Sequence, residues 1–360
     1  MPIQTAIDSI GNNQGSPFGF KNRIINGGMV IDQRNAGASV TGPNGYQTVD
    51  RWKYYISTGT KFNAQQVTDA PDGFTNSLKI TSSSAYSVSS GDFFSLVQSI
   101  EGYNFSDFAF GTTSAKPVTI SFWVKSSLTG TFGGTVINNA RNRQFLFTYT
   151  INSANTWEYE TITIPGDTTG TWLKDNGQGF LLEFGLGAGS GSSAAATGAW
   201  TASGAYTVTG AVSVVGTNAA TWQITGVQVE KGTQATAFDY RAFGTELQLC
   251  QKYFTKSQSW AAAVTAGEGQ GLIAWNAVTT AVLAGWAPHK VSMRTQPTIT
   301  IYKQDGTINA TNRFIDGAAV TGSVTCPEPG IEGFRYVSNA SSGFTAGTYY
   351  QFYYTASAEL

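Results

Sequence analysis

From Ile24 to Tyr240 short apolar runs alternate with clusters of glycine and other turn formers, and no stretch in that span shows the three-and-four spacing of a long helix. Such a chain has to fold as sheets. The run Val118-Thr-Ile-Ser-Phe-Trp-Val124 gives the pattern plainly. Its period of two puts Val118, Ile120, Phe122 and Val124 on one face, which must be core, and turns Trp123 the other way. Further candidate strands are Met29–Asp32, Trp52–Ile56, Ser77–Ser82, Phe93–Gln98, Phe145–Thr150, Glu158–Ile164, Gly179–Leu186, Tyr206–Val214 and Ala220–Val229. Even spacing of this kind predicts an antiparallel β-sandwich of jelly-roll type.

A chain of 360 residues favours two domains. Charged residues make up 12%, against a usual share of about 25%, and there are 42 glycines, 22 Phe, 16 Tyr and 9 Trp. That composition suits short strands, glycine turns and aromatic cores. A net charge of -1 argues against nucleic acid as a partner, since the basic stripe such a ligand needs is missing. The densest basic spot, Arg141-Asn-Arg143, reads as a solvated turn. Met1–Asp8 lacks the basic and apolar regions of a signal peptide, and no run of about 18 apolar residues suggests membrane insertion. Residues 1–20 carry little apolar periodicity and are expected to form an arm ordered by a partner, if at all. The glycine-rich stretch Gly185–Gly198 has neither phosphate-loop nor dinucleotide spacing and is expected to be a loop.

The stretch Ile224–Phe254 changes character midway. Trp222, Ile224, Val227 and Val229 near-alternate around Gly226, which predicts a strand bulged at the glycine. Thr245 and Gln248 then form a candidate capping box, and Leu247, Cys250 and Phe254 predict the buried stripe of a linker helix over 241–256. Cys250 is expected to be a small buried residue, and Cys250 and Cys326 are expected to be free thiols. Beyond the helix, Gly271–Trp275, Thr279–Leu283, Thr298–Tyr302, Ala319–Val324, Gly333–Val337 and Thr348–Thr355 predict a second sandwich over 257–360, with Asp305-Gly306 as a hairpin turn. The fold class expected is therefore all-β, two sandwiches joined by a short helix, the first covering 21–240.

Three stretches carry a family resemblance. Gln228-Val-Glu-Lys-Gly-Thr-Gln-Ala-Thr-Ala-Phe-Asp-Tyr-Arg-Ala-Phe243, followed by Gly-Thr-Glu-Leu-Gln-Leu-Cys-Gln-Lys-Tyr-Phe254, resembles a module boundary of tail-fibre-type virion proteins of bacteriophages. Lys21-Asn-Arg-Ile-Ile-Asn-Gly-Gly-Met-Val-Ile-Asp-Gln-Arg34 with Tyr46–Trp52, and Val118–Ser126, are similar to the opening and a core strand of the sandwich in that family. The resemblance implies a carbohydrate-binding-module-like first domain, a C-terminal receptor-binding tip, a homotrimer, attachment to other virion proteins through the N-terminal arm, and location on the exterior of a phage particle.

Candidate chemistry is sparse. The single histidine, His289, has no G-x-S-x-G nucleophile to serve and is expected at the surface. Zinc ligands are equally scarce, no cofactor is implied, and Asp69-Ala-Pro-Asp-Gly73 reads as an acidic turn before a calcium site. Asp92, Glu101 and Asp107 are acids close in sequence near aromatics and keep a polysaccharide-degrading reading open. Rings remain. Tyr103, Phe105, Phe108 and Phe110 mix strand and turn spacing, while Arg335, Tyr336, Tyr350 and Tyr353 lie where alternation in Tyr349–Tyr354 should turn rings outward. Tyr103, Arg335, Tyr336, Tyr350 and Tyr353 are therefore the candidate ligand-binding residues. The expected function is a non-enzymatic tail fibre binding host-surface glycan, with a capsid-associated decoration protein and a depolymerase as alternatives.

Overall fold

A computed structural model describes residues 20–264, 270–320 and 324–360. Most of the expected arm, residues 1–19, lies outside them. The chain divides into two compact units. The first holds residues 20–28, Thr41–Gly45 and Lys53–Arg241; the second holds Met29–Val40, Tyr46–Trp52 and Ala242–Leu360. The second unit thus includes two segments that a boundary at residue 240 would have left in the first.

In chain order the first unit uses β1 (Val40–Thr41), β2 (Lys53–Ile56), β3 (Phe62–Val67), β4 (Ser77–Ser82), β5 (Phe93–Glu101), β6 (Val118–Ser126), β7 (Gly130–Ile137), β8 (Gln144–Ile151), β9 (Glu158–Ile164), β10 (Gln178–Ala188), β11 (Ser193–Ala194), β12 (Thr207–Val208) and β13 (Thr221–Lys231). Two antiparallel sheets result, ordered β1-β3-β4-β13-β6-β9 and β2-β5-β10-β7-β8. Their inner faces meet through rings. Phe122 on one sheet lies 5.0 Å from Phe184 on the other, and Tyr149 and Trp222 pack into the same cluster. Phe105, Phe108 and Phe110 are not available to a ligand: they pack with Trp172 and Phe180 in a second buried cluster.

The residues behind the family resemblance form a clamp. Glu230 accepts hydrogen bonds from the Thr236 amide at 2.8 Å and its hydroxyl at 2.7 Å, and Gln228 accepts one from the Asp239 amide at 2.9 Å. The opening motif binds the same turn, since Lys21 donates to the Ala237 carbonyl at 2.6 Å and Arg241 to that of Ile24 at 3.0 Å. Gly27 lies so close beneath β13 that a Cβ there would stand 2.2 Å from the Val227 carbonyl oxygen. The two motifs therefore touch in the fold.

The second unit contains α1 (Phe243–Gln251) and β14 (Phe254–Lys256), β15 (Ile273–Ala277), β16 (Val282–Pro288), β17 (Thr298–Tyr302), β18 (Thr311–Arg313), β19 (Ala319–Val320), β20 (Val324–Thr325), β21 (Gly333–Asn339) and β22 (Tyr349–Ser357). The expected capping box does not form: α1 starts after Ala242 and has no side-chain cap. Phe254 leaves the helical stripe as well, because its backbone pairs with Ser357 as the first residue of β14. At the centre of the network β22 is bonded on both edges, to β15 and β18 along its first half and to β14 and β17 along its second.

Segments Met29–Val40 and Tyr46–Trp52 are tied to this unit by buried charge. Arg34 pairs with Asp50 at 3.3 Å and with Glu359 at 2.8 Å, Arg51 pairs with Glu359, and the two guanidinium groups lie over the rings of Phe254 and Tyr253. Burial pushes the Asp50 carboxyl up to about 6, although Arg34 and Gln33 pull the other way. A carboxyl raised in this way takes up its proton in the folded state first. Its burial cost is therefore fully present above pH 6 and is relieved as the pH falls toward the ordinary carboxylate range. Between about pH 7.5 and about pH 4.5, wild-type stability should rise relative to Asp50→Asn by about 2 kcal/mol, as read from urea unfolding of both proteins. Parallel stability curves would contradict this.

Candidate functional site

Of the residues expected to bind ligand, Tyr103 is 64% exposed in a short turn of the first unit, and Arg335 is exposed and Tyr336 half-buried on β21. Tyr350 and Tyr353 correct the expectation: they are 2% and 1% exposed. Alternation turns rings outward only where one sheet face is open, and along β22 both faces are covered from Tyr350 to Tyr354, apart from a half-buried Gln351. The Tyr350 hydroxyl accepts the Thr345 amide at 2.9 Å, and the ring exposed on this strand is Tyr349. His289 is likewise buried, with ring nitrogens 3.3 Å from the Tyr354 hydroxyl and 3.1 Å from the Gly330 carbonyl. Burial lowers its pKa. Cys250 is buried and Cys326 half-buried, both free.

The three acids go to separate duties. Asp92 accepts hydrogen bonds from Ser57, Tyr86 and the Ser89 amide at 2.9, 2.8 and 2.7 Å, Glu101 is buried, and Asp107 pairs with Arg23 and Lys231 at 2.9 and 2.8 Å.

The middle of the outer face of the five-stranded sheet is covered, while Thr131, Thr148 and Thr150 at its edge are exposed. Ser95, Val97, Thr135, Ile137, Leu181 and Glu183, which point outward, are all buried. Gly133 and Gly185 let β12 lie directly on the sheet, for a Cβ on either would come within 2.5 Å of Val208 or Thr207. Glu183 receives both Arg141 nitrogens, at 2.5 and 3.2 Å, and Arg141 in turn lies 4.3 Å over Tyr206. Arg143 pairs with buried Asp167 at 2.6 Å. The Arg141-Asn-Arg143 stretch is therefore a pair of structural ion pairs and not a solvated turn. The glycine-rich stretch also begins as strand, since β10 runs through Gly185 to Ala188.

The six-stranded sheet presents a different outer face. Between Thr119 and Lys125 on β6, and between Tyr159 and Thr163 on β9, every outward side chain is aromatic, hydroxylated or charged, and none is aliphatic. Trp123 lies opposite Tyr159 in register, with ring centroids 5.3 Å apart. Beside them Lys125 stands 5.0 Å over Trp157 and pairs with Asp69. Asp69 also accepts from Trp157 at 3.4 Å and from Gln223 at 3.2 Å, and the Lys125 bond holds its carboxyl below the usual range. On the other side Gly226, at φ 63°, forms the expected bulge of β13. A Cβ there would meet Phe74 at 2.7 Å and Trp123 at 3.1 Å, so only glycine lets Phe74 settle beside Trp123. Tyr240 continues the row 5.5 Å from Phe74 and is 62% exposed. The outcome is a set of partly exposed rings with the Asp69 carboxylate, the Lys125 ammonium and the Gln223 amide among them. Alternation alone had turned Trp123 outward. The band was missed because it needs the β6–β9 register and the Asp69 turn, which adjacent residues do not encode.

No protein-family model matches this chain, and no curated protein sequence does. Solved structures with partial likeness include the enzymatically active domain of tailspike protein 4 from bacteriophage CBA120, at 11% identity over 59% of this chain and 21% of that one, with a TM-score of 0.32. This chain therefore spans about a fifth of that domain. A family 11 carbohydrate-binding module from Clostridium thermocellum, in complex with a β-1,3-1,4-mixed-linked tetrasaccharide, aligns at 14% identity over 54% and 97% of the two chains, TM-score 0.28. A CBM4 structure aligns at 18% identity over 57% and 97%, TM-score 0.27. At these TM-scores the likenesses carry no argument about function.

Proposed function

We propose that this chain is a non-enzymatic structural protein of a phage particle, a fibre on the virion exterior that adheres to glycan on the host surface. The observation that carries the reading is the band of Trp123, Tyr159, Trp157 and Tyr240 around Asp69 and Lys125. Rings cover the apolar faces of sugars, and neighbouring carboxylate, amide and ammonium groups hold hydroxyls. A protein interface would instead need an apolar centre depleted of charge, and this band has an ion pair inside it. The sequence resemblance to tail-fibre-type virion proteins supports the particle context, a homotrimer, and attachment through residues 1–20.

Fluorescently labelled protein should decorate intact host cells, and Trp123→Ala should lower that binding at least about tenfold while unfolding at the wild-type urea concentration. A folded trimer that decorates no host cell would favour the capsid decoration role. Release of reducing ends from host polysaccharide would require the depolymerase reading.

A further inference from the structure

The band spreads over two strands and the loops beside them, and that extent limits what part of a glycan it can hold. A site for a terminal sugar is a pit that encloses one ring from several sides. Here Trp123 and Tyr159 stand on two paired strands, and Trp157, Phe74 and Tyr240 flank them from neighbouring loops. Trp157 stands beside Lys125, and Trp123 and Tyr159 follow two residues along their strands, roughly 6.6 Å further. On the Gly226 side of Trp123, Phe74 packs with Phe238 and Tyr240 in a three-ring cluster, with centroids 4.8 to 5.5 Å apart. Residues 152–156 beside Trp157 and Tyr240 in the three-ring cluster are exposed, so the rings are spread over more surface than one sugar covers.

Resting on the glycan reading above, we infer that this surface holds several consecutive sugar rings from the interior of a linear polysaccharide, oriented by Asp69, and does not bind a chain end. Asp69 is suited to orienting because its side chain is 52% exposed. A carboxylate has about four acceptor sites, and Lys125, Gln223 and Trp157 supply three donors, which leaves capacity for a sugar hydroxyl. A charge-assisted bond of that kind would fix the direction in which the chain lies across the rings.

The test is calorimetric titration of the full chain with a ladder of oligosaccharides cut from purified host surface polysaccharide, beside the intact polymer with its reducing ends converted to alditols. Affinity should climb with oligosaccharide length before levelling off, the single sugars should not compete, and capping the ends should change nothing. Asp69→Asn should weaken binding to the longer oligosaccharides about tenfold, with Trp123→Ala as the positive control for the surface. Full affinity for a single sugar, or loss of binding on capping, would overturn the inference and leave the adhesion reading standing. If the intact polymer does not bind at all, both fall.

Discussion

Glu359→Ala should lower the stability of the second unit by about 3–5 kcal/mol, the usual cost of removing one partner from a buried ion pair. Glu359 answers two guanidinium groups at once, and the Arg51 side chain is 1% exposed. Without the carboxylate, Arg51 keeps its charge with no water to hold it. The same residues fix Met29–Val40 and Tyr46–Trp52 to the unit, helped by Tyr46, whose hydroxyl donates to the Leu360 carbonyl at 2.8 Å. A fragment starting at Ala242 should therefore fail to fold. Urea unfolding of the full chain provides the measurement, with Arg51→Met/Glu359→Leu as a companion. Removing both charges should restore part of the loss, because no unpaired ion is left behind. A loss under about 1 kcal/mol for Glu359→Ala would mean that the network is ornamental.

Trp222→Ala should cost the first unit a similar amount, about 3–5 kcal/mol. Trp222 is fully buried between the sheets, packs 5.9 Å from Phe184, and donates its indole N–H to the Tyr149 hydroxyl at 3.1 Å. Truncation leaves a large cavity and also deprives a buried hydroxyl of its donor, so the two penalties combine. The expected signature is an earlier urea transition for the first unit with the second unchanged. An unchanged first transition would show that the aromatic cluster around Phe122, Tyr149 and Phe184 does not hold the sandwich together.

Much of the fold could be read where a strand's own residues determine it. Ser77–Ser82, Glu158–Ile164 and Thr298–Tyr302 occupy their expected bounds, and Val118–Val124 buries the face that its period selected. Failures occur where a distant partner decides. β7 looks like a linker, Gly-Thr-Phe-Gly-Gly-Thr-Val-Ile, because a Cβ at Gly134 would meet the Glu183 carbonyl at 2.4 Å and the Phe147 ring at 2.5 Å. Phe254 fits a helical stripe locally, yet Ser357 draws it into a strand. Met29–Asp32 has strand-like composition but forms no strand, with Met29 at φ 57°.

The candidate site was legible to the same extent. Trp123 could be turned outward from its neighbours alone. That Tyr159 joins it, and that an acidic turn around Asp69 closes on Lys125, depends on register and on a loop from another part of the chain. The reverse error at Tyr350 and Tyr353 has the same source. Alternation says which rings share a face; it does not say whether that face meets water.

The most direct measurement is co-sedimentation of the labelled full chain with purified host surface polysaccharide, comparing wild type with Trp123→Ala/Tyr159→Ala. Wild type should pellet with the polymer and the double variant should stay in the supernatant, while both unfold at the same urea concentration and elute at the same size. A double variant that still pellets like wild type would contradict the assignment of this face to glycan. So would one that stays soluble only because its oligomer has come apart.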